Sequence, residues 1–256
     1  MQIDKKCLEI EIKHEQFSEC HFGGKIEVDL LRPFLVIPDL QIPFEHPKAL
    51  SFCAYLRKHY RIPDENILNV GDEVDNLHGG LYPKDPDGDL SATGEITAAK
   101  EKIREWAATF PKQKIAISNH GMRWFKKAAA AEIPSQMIRD YRQVLGMPDT
   151  WLFQEQWDIP TKHPFSMIHG MGYSGQFSQR TAAIDQGTSI VHGHLTHAAI
   201  SHIVTANRRI WGMCVSCLID VEAYAFKYGK NNRFKPSLGA GIVFEQGRTP
   251  IWLPIE

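Results

Sequence analysis

Short apolar runs and helical patterns alternate through the first two-thirds of the chain. Five runs have the length of buried strands, and each one stops at Gly, Pro or a polar residue. These runs are Phe34–Ile37, Ile67–Val70, Lys114–Ser118, Phe165–Ile168 and Thr188–Val191. Strands that alternate with helices are typical of a parallel sheet with helices packed on its faces.

Apolar residues between these runs recur at the three- and four-residue spacing of amphipathic helices. The segments with this spacing are His46–Tyr60, Ile96–Phe110, Met122–Ala131, Ser135–Leu145 and Ser174–Asp185. Segment Leu81–Gly94 is rich in Pro, Asp and Gly, which predicts a loop. The aromatic-rich segment Trp151–Trp157 fits either a cap over a site or a packed surface excursion, and the pattern does not choose between them.

The pattern changes after His194, where strand-like segments follow one another without helices between them. These segments are Ala198–Ala206, Arg209–Asp220, Ala223–Tyr228, Gly241–Glu245 and Pro250–Pro254. The whole pattern predicts one α/β domain over residues 1–256, with two sheets packed face to face and helices outside. Residues 1–30 are predicted to be an N-terminal extension with an edge hairpin.

Composition narrows the class of protein. The chain has 256 residues, of which 43% are hydrophobic and 23% charged, as in globular proteins. A net charge of -1 gives no overall electrostatic reason to bind nucleic acid or a membrane. No apolar stretch is long enough to span a bilayer, and the first residues lack a signal-peptide pattern. The five scattered cysteines indicate a reducing, cytoplasmic location, with Cys214 and Cys217 as core thiols.

Polar side chains follow each of the five strand-like runs. In order along the chain they are Asp39 and Gln41, Asp72 and Asp75, Asn119 and His120, His169, and then His194 and His197. Ligands of open α/β sheets bind beyond the carboxyl ends of the strands, so these side chains are expected to share one crevice. A mixture of carboxylate, imidazole and amide groups suits Mn²⁺, Fe or Zn²⁺.

The five polar segments resemble, in order, the sequence blocks of the calcineurin-like metallophosphoesterase superfamily, in the form seen in phage and bacterial members. Those blocks read DxH, GDxxD, GNH, a lone His, and GHxH. The resemblance spans residues 34–197 and implies a four-layer α/β/β/α fold with two divalent metal ions. It implies that Asp39 binds the first ion, that Asp72 bridges both, and that the second ion is bound by Asn119, His169 and His194. It also implies that His120 acts on the leaving group and that Asp75 orients it.

Three positions depart from those blocks. Gln41 replaces the usual His, Thr196 replaces the second His of the last block, and Ser118 replaces a Gly. We expect Gln41 to bind the first ion through its amide oxygen, which favours Mn²⁺, with Zn, Fe, Ni and Mg as alternatives. His197 completes the first site if its turn contains a one-residue bulge. Otherwise this site lacks an imidazole.

These residues predict hydrolysis of a phosphomonoester or phosphodiester. Arg123 either clamps the substrate phosphate or is a surface arginine. Glu73 is expected to be a solvated turn residue, and His192 to pack or hydrogen-bond without binding metal.

Two alternative functions are also compatible with the sequence. A nuclease is suggested by the basic and aromatic segment Ala223–Lys235, and a non-catalytic interaction module by the altered first site. The sequence does not indicate an oligomeric state.

Overall fold

The computed structural model describes residues 28–81, 90–223 and 235–256. Five α-helices lie within these ranges: α1 (Ala49–His59), α2 (Ala92–Thr109), α3 (Arg123–Ala130), α4 (Tyr141–Leu145) and α5 (Ser178–Gln186). The predicted N-terminal hairpin and most of the basic segment at 223–235 fall outside the described residues.

One sheet has six strands in the order β11-β10-β1-β2-β3-β4. Its central strands β1 (Phe34–Ile37), β2 (Ile67–Asn69), β3 (Gln113–Ala116) and β4 (Trp151–Gln154) run parallel to one another. Strands β10 (Gly239–Phe244) and β11 (Thr249–Pro254) extend it on the other side of β1 as antiparallel neighbours. We call this the first sheet.

The second sheet has five strands in the order β5-β6-β7-β9-β8. These strands are β5 (Gln156–Ile159), β6 (Phe165–Ile168), β7 (Ser189–His192), β8 (Ala198–Thr205) and β9 (Arg208–Val215). Strands β6, β7 and β9 are parallel, whereas β5 and β8 are antiparallel edge strands. Most predicted strands are therefore present, although the one predicted over Arg209–Asp220 ends at Val215.

The core lies in layers on both faces of the first sheet. Phe34 and Val36 of β1 point between the sheets and pack against residues such as Met213 of β9. The alternate residues Leu35 and Ile37 point outward and pack under α1 and α2. Strand β1 is apolar at every position because both of its faces are buried. Helix α5 covers the outer face of the second sheet, so the predicted four-layer α/β/β/α fold class is confirmed.

The helix predicted over Ser135–Leu145 is wrong in its first half. The structure has a 3-10 turn at Ser135–Met137, and α4 begins only at Tyr141. The side chain of Asp140 accepts a hydrogen bond from the backbone N–H of Arg142 at 2.8 Å, which caps a new helix at this point.

Neither interpretation of Trp151–Trp157 is correct. The segment forms β4 at the edge of the first sheet and then β5 at the edge of the second, so the chain crosses between sheets here. The indole N–H groups of Trp151 and Trp157 donate to the carbonyls of Phe110 and Ile115, each at 2.9 Å. These hydrogen bonds allow large aromatic rings to be buried in the core instead of covering a site.

The expectation that Cys214 and Cys217 are core thiols is confirmed. Cys214 and Cys217 are fully buried free thiols, and burial raises the pKa of each to about 12. No helix in the described ranges has the length and apolar character needed to cross a membrane.

Candidate metal centre

The carboxyl ends of five parallel strands from both sheets meet at one end of the molecule. Strands β1, β2 and β3 arrive from the first sheet, and β6 and β7 arrive from the second. The loops of the two sheets approach each other closely at Gly193, just after β7, where an added Cβ would lie only 2.2 Å from Asp39 Oδ1 after β1. A residue without a side chain is therefore needed where the loops of the two sheets touch.

Four predicted ligand residues converge in this crevice. Asp72, His169 and His194 each offer one ligand atom, and these atoms all lie within 4.8 Å of one another. The amide oxygen of Asn119 lies 2.8 Å from His169 Nε2. Residues from four separate loops thus form one group, which we call the metal cluster: Asp72, Asn119, His169 and His194.

The hydrogen bonding of His169 directs one ring nitrogen into the cluster. Its Nδ1 lies 2.8 Å from the carbonyl oxygen of Val70, which can only accept, so Nδ1 carries the proton. In the neutral ring, Nε2 then presents a lone pair to the oxygens of Asn119 and Asp72. A cation among these acceptors would interact favourably with all of them. An imidazole held by a carbonyl in this way is the usual arrangement of a metal-binding histidine.

The distances within the metal cluster fit a shared ion. His169 Nε2 lies 2.8 Å from Asn119 Oδ1, 3.2 Å from His194 Nδ1 and 3.4 Å from Asp72 Oδ1. Two atoms that each lie about 2.1 Å from one ion are roughly 3.0 Å apart at a right angle and roughly 3.4 Å apart at the tetrahedral angle. The four residues can therefore bind one divalent cation with little movement.

The surroundings of Asp72 favour the ionised form of its carboxyl group. Burial acts to raise its pKa, but the rings of His169 and His120 and a hydrogen bond with the Ser118 side chain lower it further, so the net pKa lies below the ordinary value. The backbone N–H of His120 also donates to Asp72 Oδ1 at 3.1 Å. The sequence block identifies Ser118 only as a replacement for Gly. Its hydroxyl supports Asp72, and the polar residue in a glycine position was the available signal.

Asp39 and Gln41 lie at the end of β1 and have acceptor atoms without partners. Asp39 Oδ1 and Gln41 Oε1 are both buried, and neither accepts a hydrogen bond from the described residues. Burial, followed by the nearby charge of Asp72, raises the pKa of Asp39 well above its usual range. Two adjacent buried carboxylates and an unpaired amide oxygen fit a second cation, which would relieve both the repulsion and the missing contacts.

Backbone strain coincides with these residues. Gln41, Asp72 and His194 adopt positive φ values of 52°, 47° and 66°. Each such conformation costs about 1 kcal/mol or more in a residue other than Gly, and strain of this kind gathers at functional sites. These three residues are predicted metal ligands on three different loops. Six other non-glycine residues in the described ranges, such as Arg61 and Glu132, also have positive φ.

The segment that carries His194 contains two further histidines, His192 and His197, and neither belongs to the metal cluster. His197 is not a member of the metal cluster, and its Nε2 is buried without a hydrogen-bond partner among the described residues. Its predicted contact with the first ion stays a prediction. His192 is fully buried, its Nδ1 lies 2.8 Å from the Gly193 carbonyl, and burial lowers its pKa to about 4. The expectation that His192 packs and hydrogen-bonds is confirmed.

His120 lies beside the metal cluster in contact with two charged residues. Its Nδ1 is 2.9 Å from Asp75 Oδ1, in a close contact that is not aligned as a hydrogen bond. Its Nε2 is 2.8 Å from a guanidinium nitrogen of Arg123 and 3.6 Å from Asp72 Oδ2. Arg123 also donates to the carboxylate and the carbonyl of Asp75 at 2.9 and 2.7 Å. In this arrangement Arg123 binds the His120–Asp75 pair and is not a free surface arginine.

The expectation for Glu73 is wrong. Its side chain is buried, not solvated, and accepts a hydrogen bond from the Tyr141 hydroxyl at 2.7 Å. Burial raises the pKa of Glu73 to about 7. A turn residue after a strand was expected to face water, but α4 places Tyr141 over this turn, and the sequence gives no sign of that long-range contact.

Comparison with known proteins adds little to this geometry. No protein-family model matches the chain, and no curated protein matches it. Among solved structures, the chain is similar to Vps29 from Chaetomium thermophilum, with a TM-score of 0.38 and 9% sequence identity. The alignment covers 88% of this chain and 97% of that one. Since a similarity this distant says nothing about function, the functional conclusion depends on the site itself.

Proposed function

We propose that this protein is a metal-dependent phosphoesterase related to the calcineurin-like metallophosphoesterases of phages and bacteria. The observation that carries the proposal is the convergence of four donor atoms from Asp72, Asn119, His169 and His194. Imidazole nitrogen, amide oxygen and carboxylate oxygen together form a ligand set for a divalent transition metal.

A second ion would be bound by Asp39 and Gln41, with Asp72 shared between the two ions. These donors are all oxygens, and hard cations such as Mn²⁺ prefer oxygen ligands. We therefore propose Mn²⁺ as the preferred metal. When bound, the ions supply Lewis-acid activation of the phosphoryl group and of the attacking water.

His120 is proposed to act on the leaving oxygen. Asp75, 2.9 Å from Nδ1, holds the ring at the edge of the metal cluster. Because Nε2 accepts from Arg123, it carries no proton in this arrangement. It can protonate a leaving group only after Arg123 moves away and Nε2 takes up a proton from water. A substrate phosphate would attract Arg123, whose guanidinium has five N–H groups and can hold an oxyanion in a bidentate contact. Substrate binding would in this way break the contact between Arg123 and His120 Nε2.

Hydrolysis of p-nitrophenyl phosphate and of its bis ester, with added Mn²⁺, tests the proposal. We expect Asp72→Ala to remove nearly all activity and His120→Ala to lower kcat by about a hundredfold or more. His202→Ala is the matched control, because His202 is an exposed histidine on β8 and its loss should leave activity unchanged.

Equal activity in the wild type and in the Asp72 and His120 variants would contradict the proposal. An assay of single-stranded DNA cleavage under the same conditions tests the nuclease alternative. Metal binding by a protein that hydrolyses none of these substrates would support the interaction-module alternative instead.

A further inference from the structure

A second cavity, of about 490 Å³, lies between α2, α3 and α4. Its walls are almost entirely apolar and include Ile96 from α2, Ala128 from α3 and Val144 from α4. Asn76 also lines it and donates through its side chain to the His120 carbonyl at 3.2 Å, so the cavity borders the loops of the metal centre. Its volume is in the range of small-molecule sites, roughly 300–1,000 Å³.

Helix α3 leaves this cavity open. None of the residues of α3 is buried, which is unusual for a helix that carries Trp124 and Phe125. Ile133, in the connection after α3, lines the cavity and remains 46% exposed. Water in an apolar cavity finds few hydrogen-bond partners, so an apolar ligand would displace it favourably.

The charges at the cavity are positive. Lys127 and Arg139 both line it, and none of its described lining residues carries a carboxylate. The ammonium group of Lys127 donates to the carbonyl of His78 at 2.8 Å, a neutral partner that leaves its charge in place. Within the described ranges, neither cation forms an ion pair with a carboxylate. A bound molecule with an anionic end would therefore be favoured over a neutral or cationic one.

We propose that this cavity binds a small anionic amphiphile. Its alkyl or aryl body lies among Ile96, Ala128 and Val144, and its anionic end lies at Lys127 and Arg139. The inference rests on the shape and charge of the cavity, so it does not depend on metal binding or hydrolysis. It can be tested on metal-free protein, where failure of the phosphoesterase proposal has no effect.

The probe is anilinonaphthalene sulfonate, whose fluorescence rises in an apolar site, with decanoate as the competitor in the presence of EDTA. We expect saturable binding and displacement by decanoate. Ala128→Trp fills the cavity and should weaken binding about tenfold or more. Ala129→Trp, on the same helix but exposed and not lining the cavity, is the matched control and should bind as the wild type does.

Charge reversal keeps the test valid if Ala128→Trp does not fold. Lys127→Glu with Arg139→Glu changes two exposed side chains and should weaken decanoate binding several-fold, while leaving binding of neutral decanol unchanged. Binding that is equal in the wild type, Ala128→Trp and the double charge variant would overturn the proposal. So would preference of the wild type for decyltrimethylammonium over decanoate.

Discussion

At the scale of single residues, the metal cluster depends on where one proton lies. The Val70 carbonyl accepts from His169 Nδ1 and so directs Nε2 toward Asp72 and Asn119. The sequence could predict which residues come together in the cluster, because each follows a strand. It could not predict what holds them, since the Val70 carbonyl and the Ser118 hydroxyl reach their partners only through tertiary contacts.

Glu45 gives a pH-dependent prediction away from the metal cluster. Burial raises its pKa above the ordinary value of 4.5, in spite of Lys102 at 3.1 Å from Oε1, and its other oxygen has no hydrogen-bond partner among the described residues. Because the folded pKa lies above the unfolded one, folding favours the neutral form. Stability is therefore lost as the pH rises through this range and stays lost at pH 7.

Glu45→Gln should accordingly raise Tm by up to a few degrees at pH 7, and the gain should disappear as the pH falls below about 4. Thermal unfolding followed by circular dichroism across this range measures the effect. Glu101→Gln on α2, which removes an exposed carboxylate, is the control and should not show the same dependence. A variant that is no more stable than the wild type at neutral pH would show that the Lys102 pair outweighs burial.

At the scale of elements, the hydrophobic pattern predicted most of the fold because buried strands and amphipathic helices have different periods. The pattern gave wrong predictions where a local helix cap or a long-range contact determines the structure. The Asp140 cap interrupts the helix predicted over Ser135–Leu145. The segment Trp151–Trp157 is aromatic because it forms two edge strands with buried indole rings. A cap over a site would have an equally aromatic sequence, so the pattern could not distinguish the two.

The packing of α5 on β9 gives a prediction at this scale. A Cβ at Gly212 would lie 1.8 Å from the carbonyl oxygen of Gln179, so only Gly allows this close contact between helix and sheet. Gly212→Ala should lower the free energy of unfolding by about 1–3 kcal/mol, measured by urea denaturation. In Gly94→Ala, the control, the nearest atom would be Ser91 Oγ at 3.3 Å, and a smaller change is expected. Equal effects of the two changes would show that α5 shifts at little cost.

At the scale of the whole molecule, the two sheets are packed so that parallel strand ends from both meet in one crevice. Asp72 and Asn119 come from the first sheet, whereas His169 and His194 come from the second. A metal ion bound there would connect the two sheets as well as activate a substrate. The order of the polar segments in the sequence predicted this meeting. The sequence does not determine whether His197 reaches the first ion, because that depends on the path of a single loop.

The central claim is that Asp72, Asn119, His169 and His194 bind a divalent cation. The most direct test is anomalous diffraction at the manganese edge from crystals soaked in Mn²⁺. We predict an anomalous peak about 2.1 Å from His169 Nε2 and His194 Nδ1, with a second peak roughly 3.5–4 Å away toward Asp39. Crystals that contain Mn²⁺ elsewhere but show no peak among these four side chains would contradict the claim.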